Sequence, residues 1–124
     1  MNLDFEKTGG LIPTVVQDVS DGRVLMVGFM NEESFKRTVE TGNVTFYSRS
    51  RQELWTKGES SGHYLVVKEI QTDCDLDTVL IQAESPGPGV CHNGYRSCFY
   101  RRLNDGDWQE HEARVYDPEA VYKK

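Results

Sequence analysis

The sequence predicts a single α+β domain, mostly β with one or two short helices. Most apolar residues fall in short β-branched segments that are bounded by glycine, proline or aspartate turn signals. Only one segment combines helical spacing with matching start and stop signals. The chain has 124 residues, within the roughly 100–200 residues of a typical domain, so residues 1–124 are assigned to one domain.

A hairpin is predicted at the start of the fold. Residues 12–19 read as a strand with an edge proline, Pro13, and Asp21-Gly22 is typical of a tight hairpin turn. Residues 24–30 form an almost uninterrupted apolar run. The returning strand is therefore expected to be buried on both faces.

A short amphipathic helix is predicted over residues 32–41. Asn31 is a favourable N-cap, and Phe35 and Val39 are four residues apart on one helical face. Gly42 stands where a helix commonly ends in a left-handed residue.

The remaining elements are predicted from alternation and from breakers. The segments 44–48, 65–72 and 78–84 are predicted strands, and 98–103 and 108–116 a last hairpin. The polar stretch 49–62 and the Pro-Gly-rich run 85–89 are predicted loops.

Charge and composition exclude several classes of protein. The net charge is −6, from 20 acidic and 14 basic side chains, which is unfavourable for nucleic-acid binding. No apolar run approaches the roughly 18 residues of a membrane span, and the N-terminus lacks the pattern of a signal peptide. We therefore expect a cytoplasmic protein with no membrane or nucleic-acid partner. Three cysteines argue against a disulfide framework.

The first candidate site is the segment Asp73 to Asp77. In an extended chain Asp73, Asp75 and Asp77 share one face and Cys74 points to the other. Three clustered carboxylates favour a hard cation such as Mg²⁺ or Ca²⁺, although a solvated acidic turn has the same composition. An EF-hand is rejected because Thr78 stands at the glycine position and the flanks are predicted strands.

The second candidate site combines cysteines with a histidine. Cys91 and Cys98 are seven residues apart with His92 beside the first, and Cys74 adds a third thiol. Three thiolates favour an open, hydrolytic zinc site, unless His92 is the fourth ligand; two buried thiols are the alternative. His92 is otherwise the candidate proton carrier, or else a loop residue that supports the ligands or faces solvent.

A third constellation suits phosphate. Arg49, Arg51, Lys57 and His63 lie among serines and glycines, and two arginines at this spacing face the same way in an extended chain. A solvated basic loop is the alternative. Walker and dinucleotide fingerprints are absent, which disfavours a nucleoside triphosphate or NAD.

Taken together, these segments resemble the phosphoribosyl-AMP cyclohydrolase family. The resemblance covers roughly residues 11–103, whereas the acidic tail 104–124 looks unlike the family core and is assigned no role. The matching motifs are Met26-Val27-Gly28-Phe29-Met30-Asn31, Tyr47-Ser48-Arg49-Ser50-Arg51, Leu54-Trp55-Thr56-Lys57-Gly58-Glu59-Ser60-Ser61-Gly62-His63, Asp73-Cys74-Asp75-Leu76-Asp77 and Cys91-His92-Asn93-Gly94-Tyr95-Arg96-Ser97-Cys98-Phe99-Tyr100.

The resemblance implies a cytoplasmic enzyme of histidine biosynthesis that forms an intertwined homodimer. Its reaction would open the adenine ring of phosphoribosyl-AMP by breaking the N1–C6 bond with a zinc-activated water. It implies Mg²⁺ at Asp73, Asp75 and Asp77. It also implies Zn²⁺ at Cys74, Cys91 and Cys98, with the ligands shared between subunits. Roles for His92 in proton transfer and for Arg49, Arg51, Lys57 and His63 in substrate binding follow from their chemistry instead.

Two rival functions come from other classes. A small binding module would use the cysteines as a structural zinc knot with four protein ligands. A base deaminase would need a His/Cys-x-Glu segment paired with a Pro-Cys-x-x-Cys segment, and this sequence has neither.

Overall fold

The computed structural model describes residues 2–122 and contains a four-stranded mixed sheet, two separate hairpins and two helices. The strand order in the large sheet is β2-β1-β6-β5. The elements, in chain order, are β1 (Ile12–Asp18), β2 (Val24–Met30), α1 (Glu32–Thr41), β3 (Thr45–Ser48), β4 (Glu53–Thr56), β5 (Val66–Thr72), β6 (Val79–Glu84), β7 (Arg101–Asn104), β8 (Asp107–Glu110) and α2 (Pro118–Tyr122). This architecture confirms the predicted α+β class.

The core forms where β1 lies between β2 and β6. β1 is antiparallel to β2 and parallel to β6. Alternation along the two interior strands places Ile12, Val16, Val79 and Ile81 on the buried face, each with no exposed surface. Burial of such a side chain contributes about 1.5–3 kcal/mol.

Helix α1 begins and ends at the predicted residues. Asn31 Oδ1 accepts the Ser34 N–H at 2.8 Å, and the Asn31 N–H donates to Ser34 Oγ at 2.9 Å, which makes a reciprocal cap. Gly42 follows in the left-handed conformation, with φ of 76°, and its N–H donates to the Thr38 carbonyl. The buried Thr38 hydroxyl accepts the Thr45 N–H at 2.9 Å, which fixes the helix against β3.

The β3–β4 hairpin packs against β2 through aromatic rings. Phe46 is fully buried, and its ring centroid lies 5.1 Å from that of Trp55. A Cβ at Gly28 would lie 2.5 Å from the Phe46 ring, so this close packing requires glycine on β2. The hairpin thereby brings the segment that follows Ser48 next to the sheet.

Three details of the strand predictions are wrong. β2 is an edge strand with Val27 44% exposed, rather than buried on both faces. β1 is an interior strand, and Pro13 is tolerated because pairing with β6 begins only at Thr14. The predicted loop 49–62 contains β4, since Trp55 on that strand packs on Phe46 despite polar neighbours.

The other strands are confirmed, although the last hairpin is shorter than predicted. β7 and β8 pair through Leu103 and Trp108, and every residue of both strands is exposed. Neither helix of the described chain has the length and apolarity that a bilayer crossing demands.

Candidate active site and metal-binding residues

The turn between β5 and β6 gathers three carboxylates. The segment does not take the extended form in which the three carboxylates would share one face, because Leu76 adopts a left-handed conformation with φ of 64°. Asp73 Oδ1 accepts the N–H groups of Asp77 at 3.0 Å and Thr78 at 3.2 Å. The turn nevertheless places one oxygen from each of Asp73, Asp75 and Asp77 within 4.8 Å of the others.

A lysine from the N-terminal segment neutralises part of this carboxylate cluster. Lys7 Nζ lies 3.2 Å from Asp75 Oδ2 and 3.1 Å from Asp77 Oδ2, and these hydrogen bonds raise the pKa of Lys7. Lys7 lowers the pKa of Asp77, but desolvation and the neighbouring carboxylates outweigh it and leave that pKa above its usual range. The three carboxylate oxygens converge, and two of these carboxylates already bind the ammonium of Lys7. Such a set of oxygen donors fits a hard divalent cation.

Cys91 and Cys98 are brought together by a loop that folds back onto β2. The Cys98 N–H donates to the Leu25 carbonyl at 2.8 Å, and the buried Ser97 hydroxyl donates to the Val24 carbonyl at 2.7 Å. At the other end of the loop the Cys91 N–H donates to the Tyr95 carbonyl at 3.1 Å. Backbone hydrogen bonds thus fix both thiol-bearing residues.

The two thiols of this loop interact, whereas the third cysteine lies elsewhere. Desolvation, followed by the neighbouring Cys91 thiol, raises the pKa of Cys98 to about 11, and Lys57 opposes the shift. The exposed Cys74 does not join them: in the described part of the chain, only the aspartate cluster brings three ligand atoms within 4.8 Å. All three cysteines are free.

A cleft of about 210 Å³ brings His92 together with the segment that follows β4. Lys57 lines it with only 8% of its surface exposed, and lies close enough to Cys98 to influence that thiol. The lining also includes Arg51 and Glu59. Residues 35 positions apart in sequence, Lys57 and His92, therefore meet beside the two thiols. We call this the His92 cleft.

A second cleft, of about 590 Å³, shares Trp55 with the His92 cleft. Arg49 lines this second cleft, whereas Arg51 lines the His92 cleft. The extended geometry in which both arginines would face the same way does not form, because residues 49–52 form the turn between β3 and β4 and Gln52 has φ of 53°. We call the second space the Arg49 cleft.

His63 lies outside the lining of both clefts. Its Nδ1 is 2.9 Å from the Gly89 carbonyl oxygen, and its ring meets the Tyr116 ring edge-on with centroids 4.8 Å apart. A Cβ at Gly87 would lie 3.0 Å from the imidazole. His63 thus packs against the loop that leads to Cys91, and its binding of substrate remains a prediction.

The structure adds two residues to the site that were not assigned from the sequence. Within residues 2–122, Glu59 is the only acid lining the His92 cleft, and Trp55 lines both clefts. The spacing of Trp55, Lys57 and Glu59, at every second position, is the one sequence signal that could have grouped them.

Comparison with known proteins gives a consistent family. A family model of phosphoribosyl-AMP cyclohydrolase matches residues 26–100. The chain is 65% identical over 122 residues to the phosphoribosyl-AMP cyclohydrolase of Solibacter usitatus (strain Ellin6076), covering 98% of this chain and 97% of that protein. It is 53% identical over 124 residues to the protein of the same name from Geotalea uraniireducens (strain Rf4), covering 100% of this chain and 99% of that one. The second alignment includes the acidic tail.

Proposed function

The chain belongs to the phosphoribosyl-AMP cyclohydrolase family and is a hydrolase, and from that membership we propose that it opens the adenine ring of phosphoribosyl-AMP. The reaction breaks the N1–C6 bond and serves histidine biosynthesis. The observation that supports this most directly is the His92 cleft, which combines a proton carrier, two cations and the neighbouring thiol pair.

The substrate explains why the cleft needs these side chains. Phosphoribosyl-AMP carries a ribose on N1 of adenine, so C6 becomes electrophilic and accepts water. The oxygen of the water becomes the carbonyl of a carboxamide, the exocyclic amine remains as its nitrogen, and N1 departs as the formimino nitrogen. His92 takes one proton from the water and returns it to N1, as an imidazole can near neutral pH, and the second proton leaves to solvent as the C6 hydroxyl becomes the carbonyl.

The cationic side chains of the cleft bind the anionic substrate. Lys57 and Arg51 line the same space as His92, and guanidinium and ammonium groups bind phosphate oxygens strongly. The depth at which Lys57 is buried strengthens its attraction for a phosphate, because little water screens the charge there. These contacts would orient the adenine ring of the substrate against His92.

Zinc fits the donor chemistry of the cysteines. Cys91 and Cys98 of one chain would hold it together with Cys74 of a second copy, since Cys74 lies apart from the thiol pair within a single chain. When bound, zinc supplies a Lewis acid that lowers the pKa of water and makes it a nucleophile near neutral pH. This division of the thiols supports a homodimer with shared ligands.

Magnesium fits the carboxylate cluster. Asp73, Asp75 and Asp77 would hold it, displacing the ammonium of Lys7. The cluster shares its turn with Cys74, so a cation there would fix the backbone that presents the third thiol. Three free cysteines also fit a reducing compartment, and we place the enzyme in the cytoplasm.

The decisive experiment offers phosphoribosyl-AMP to the purified protein and follows the ultraviolet change that accompanies ring opening. Turnover that disappears with a zinc chelator and returns with Zn²⁺ is expected. A folded, zinc-loaded protein without turnover would favour the rival, a small binding module with a structural zinc. X-ray absorption spectroscopy of the bound zinc separates the two, because it counts the protein ligands and a structural site requires a fourth one.

A further inference from the structure

Trp55 lines two clefts around the β3–β4 hairpin, the His92 cleft and the Arg49 cleft. Its ring packs on the fully buried Phe46, with centroids 5.1 Å apart, which holds the Trp55 ring in place. Each cleft has its own arginine, because Arg49 lines one and Arg51 lines the other.

The Arg49 cleft offers an available guanidinium. Arg49 lies over the Phe29 ring, 4.4 Å from its centroid, and pairs with no carboxylate within residues 2–122. By contrast, Arg51 forms an ion pair with Glu53, with Nη1 3.4 Å from Oε1. A guanidinium stacked on an aromatic face keeps the N–H groups of its edge free to bind an anion in bidentate fashion.

Hydroxyl groups lie beside this guanidinium. Ser48 Oγ and Ser50 Oγ are 3.4 Å apart, and the Arg51 N–H donates to Ser48 Oγ at 3.3 Å. Both serines line the Arg49 cleft, together with Tyr47 and Trp55. Hydroxyls and a guanidinium suit phosphate oxygens, and aromatic walls suit the flat face of a sugar or base.

The volumes indicate that the His92 cleft holds only part of a ligand. Its 210 Å³ lies below the about 300–1,000 Å³ that pockets for whole small molecules usually occupy. The Arg49 cleft, at 590 Å³, lies within that range and shares Trp55 with its neighbour. A substrate with two phosphate-bearing riboses needs two anionic subsites joined at its reacting ring.

We propose that the Arg49 cleft is a separate ribose 5-phosphate subsite, in which Arg49, Ser48 and Ser50 bind one phosphate while Trp55 separates it from the reacting ring in the His92 cleft. This inference rests on the proposed function for the identity of the whole substrate. The subsite itself requires only a sugar phosphate, so its binding can be tested without turnover.

Binding is measured by fluorescence of Trp55. The chain has two tryptophans, and Trp108 is 70% exposed on β8, so Trp108→Phe leaves Trp55 as the single reporter. Ribose 5-phosphate and AMP are each titrated. Because Trp55 lines both clefts, a probe is assigned to the Arg49 cleft when its effect on Trp55 emission weakens in Arg49→Met, and the assigned probe with the lower Kd identifies the end of the substrate that this subsite takes. No change with either probe overturns the proposal.

Variants test the residues. In that background Arg49→Met is expected to raise the Kd of the preferred probe by about tenfold or more, because it removes a bidentate charge-assisted contact. Ser50→Asp, which places a carboxylate beside the phosphate, should do the same. Arg37→Met, on the exposed face of α1, is the matched control and should change the Kd by less than about twofold.

Turnover separates the subsite from the proposed function. With phosphoribosyl-AMP, Arg49→Met should raise KM by about tenfold while kcat changes by less than about twofold, as expected for a contact made equally in the ground and transition states. Wild-type turnover with unchanged KM and Kd in both Arg49→Met and Ser50→Asp refutes the subsite and leaves the function standing. Probe binding that depends on Arg49 without any wild-type turnover refutes the function alone.

Discussion

The ammonium of Lys7 lies 3.1 Å from Asp77 Oδ2, between two carboxylates of the turn that joins β5 and β6. A lysine of the N-terminal segment thus supplies positive charge to two carboxylates of the cluster. A divalent cation that binds Asp73, Asp75 and Asp77 must compete with this lysine for two of the three carboxylates.

Removal of the competing charge should therefore strengthen cation binding. Lys7→Ala is expected to lower the Kd for Mn²⁺, used in place of Mg²⁺, by about threefold to tenfold. Electron paramagnetic resonance of free Mn²⁺ measures the change. Lys36→Ala on the exposed surface of α1 is the control, and an equal effect in both variants would show that only general charge is involved.

Proton transfer in the His92 cleft is tested by truncating the imidazole. His92→Ala is expected to leave binding of the proposed Zn²⁺ and Mg²⁺ unchanged while kcat falls by about tenfold or more, because the water and N1 lose the proposed proton carrier. Metal analysis and steady-state kinetics give the two readouts. His111→Ala is the control, since His111 contacts the Phe99 carbonyl and lines neither cleft. Undiminished turnover in His92→Ala would remove this residue from the mechanism.

The proposed sharing of the cysteines between two chains predicts complementation. Cys74→Ser and Cys98→Ser should each be inactive alone, because each would remove a ligand from both sites of the proposed homodimer. Co-expressed in equal amounts, they should recover about a quarter of wild-type activity, since half of the dimers are mixed and each mixed dimer keeps one intact site. Recovery is measured as turnover per chain, and a mixture as inactive as its parents would place all three ligands in one chain.

The glycine after Lys57 has little room for a side chain. Gly58 has φ of 99°, and a Cβ there would lie 2.5 Å from the Tyr64 backbone nitrogen. Gly58→Ala should lower the free energy of unfolding by about 2–4 kcal/mol and raise KM, since the loop that carries Lys57 must shift. Gly62→Ala provides the matched control: φ is 80° with nothing within 4 Å, so only about 1 kcal/mol of backbone strain is expected. The free energy of unfolding is measured by urea denaturation, and an equal loss in Gly58→Ala and Gly62→Ala would contradict the clash.

An ion pair anchors the loop of the thiols to the first hairpin, and it should respond to acid. Arg96 binds both oxygens of Asp21 at 2.9 Å, and these bonds hold the pKa of Asp21 below its ordinary value of 3.8. Because the pKa is lower in the folded state, the stabilisation is present above about pH 4 and is lost as the pH falls through the folded value.

Arg96→Met should accordingly lower Tm by about 2–5 °C at pH 7, and the difference from wild type should shrink below about pH 4. Thermal unfolding followed by circular dichroism across this range measures both effects. Arg102→Met, on the exposed β7 strand, should change Tm little at any pH. If the difference in Tm between Arg96→Met and wild type stayed constant with pH, the lower Tm would result from lost packing rather than from the lost ion pair.

Local signals in the sequence were sufficient for the elements that local physics controls. Asn31 and Gly42 mark the ends of α1 because capping depends on hydrogen bonds within a few residues. Alternation located β1 and β6, whose buried faces repeat every second residue. The position of β2 at the sheet edge depends instead on which strands pair. That pairing is long-range, so the residues of β2 themselves do not indicate it.

The candidate site shows the same division. The aspartate cluster was predicted from composition, but by an extended geometry that the left-handed Leu76 rules out. Arg49 and Arg51 line different clefts because they lie in a four-residue turn between two strands, and the second of these strands, β4, lies in a polar stretch that is predicted to be a loop. The meeting of Lys57 with His92 requires the folded loop itself, so sequence spacing offered no route to it.

The separation of Cys74 from the pair formed by Cys91 and Cys98 has a thermodynamic corollary. If two chains complete one zinc site, metal occupancy depends on protein concentration, and dilution alone would strip the ion at constant free zinc. Linkage is reciprocal, so the metal also tightens the association of the chains by the same factor. A chelator would then dissociate the two chains, and the fraction of dimer would depend on the concentration of free zinc.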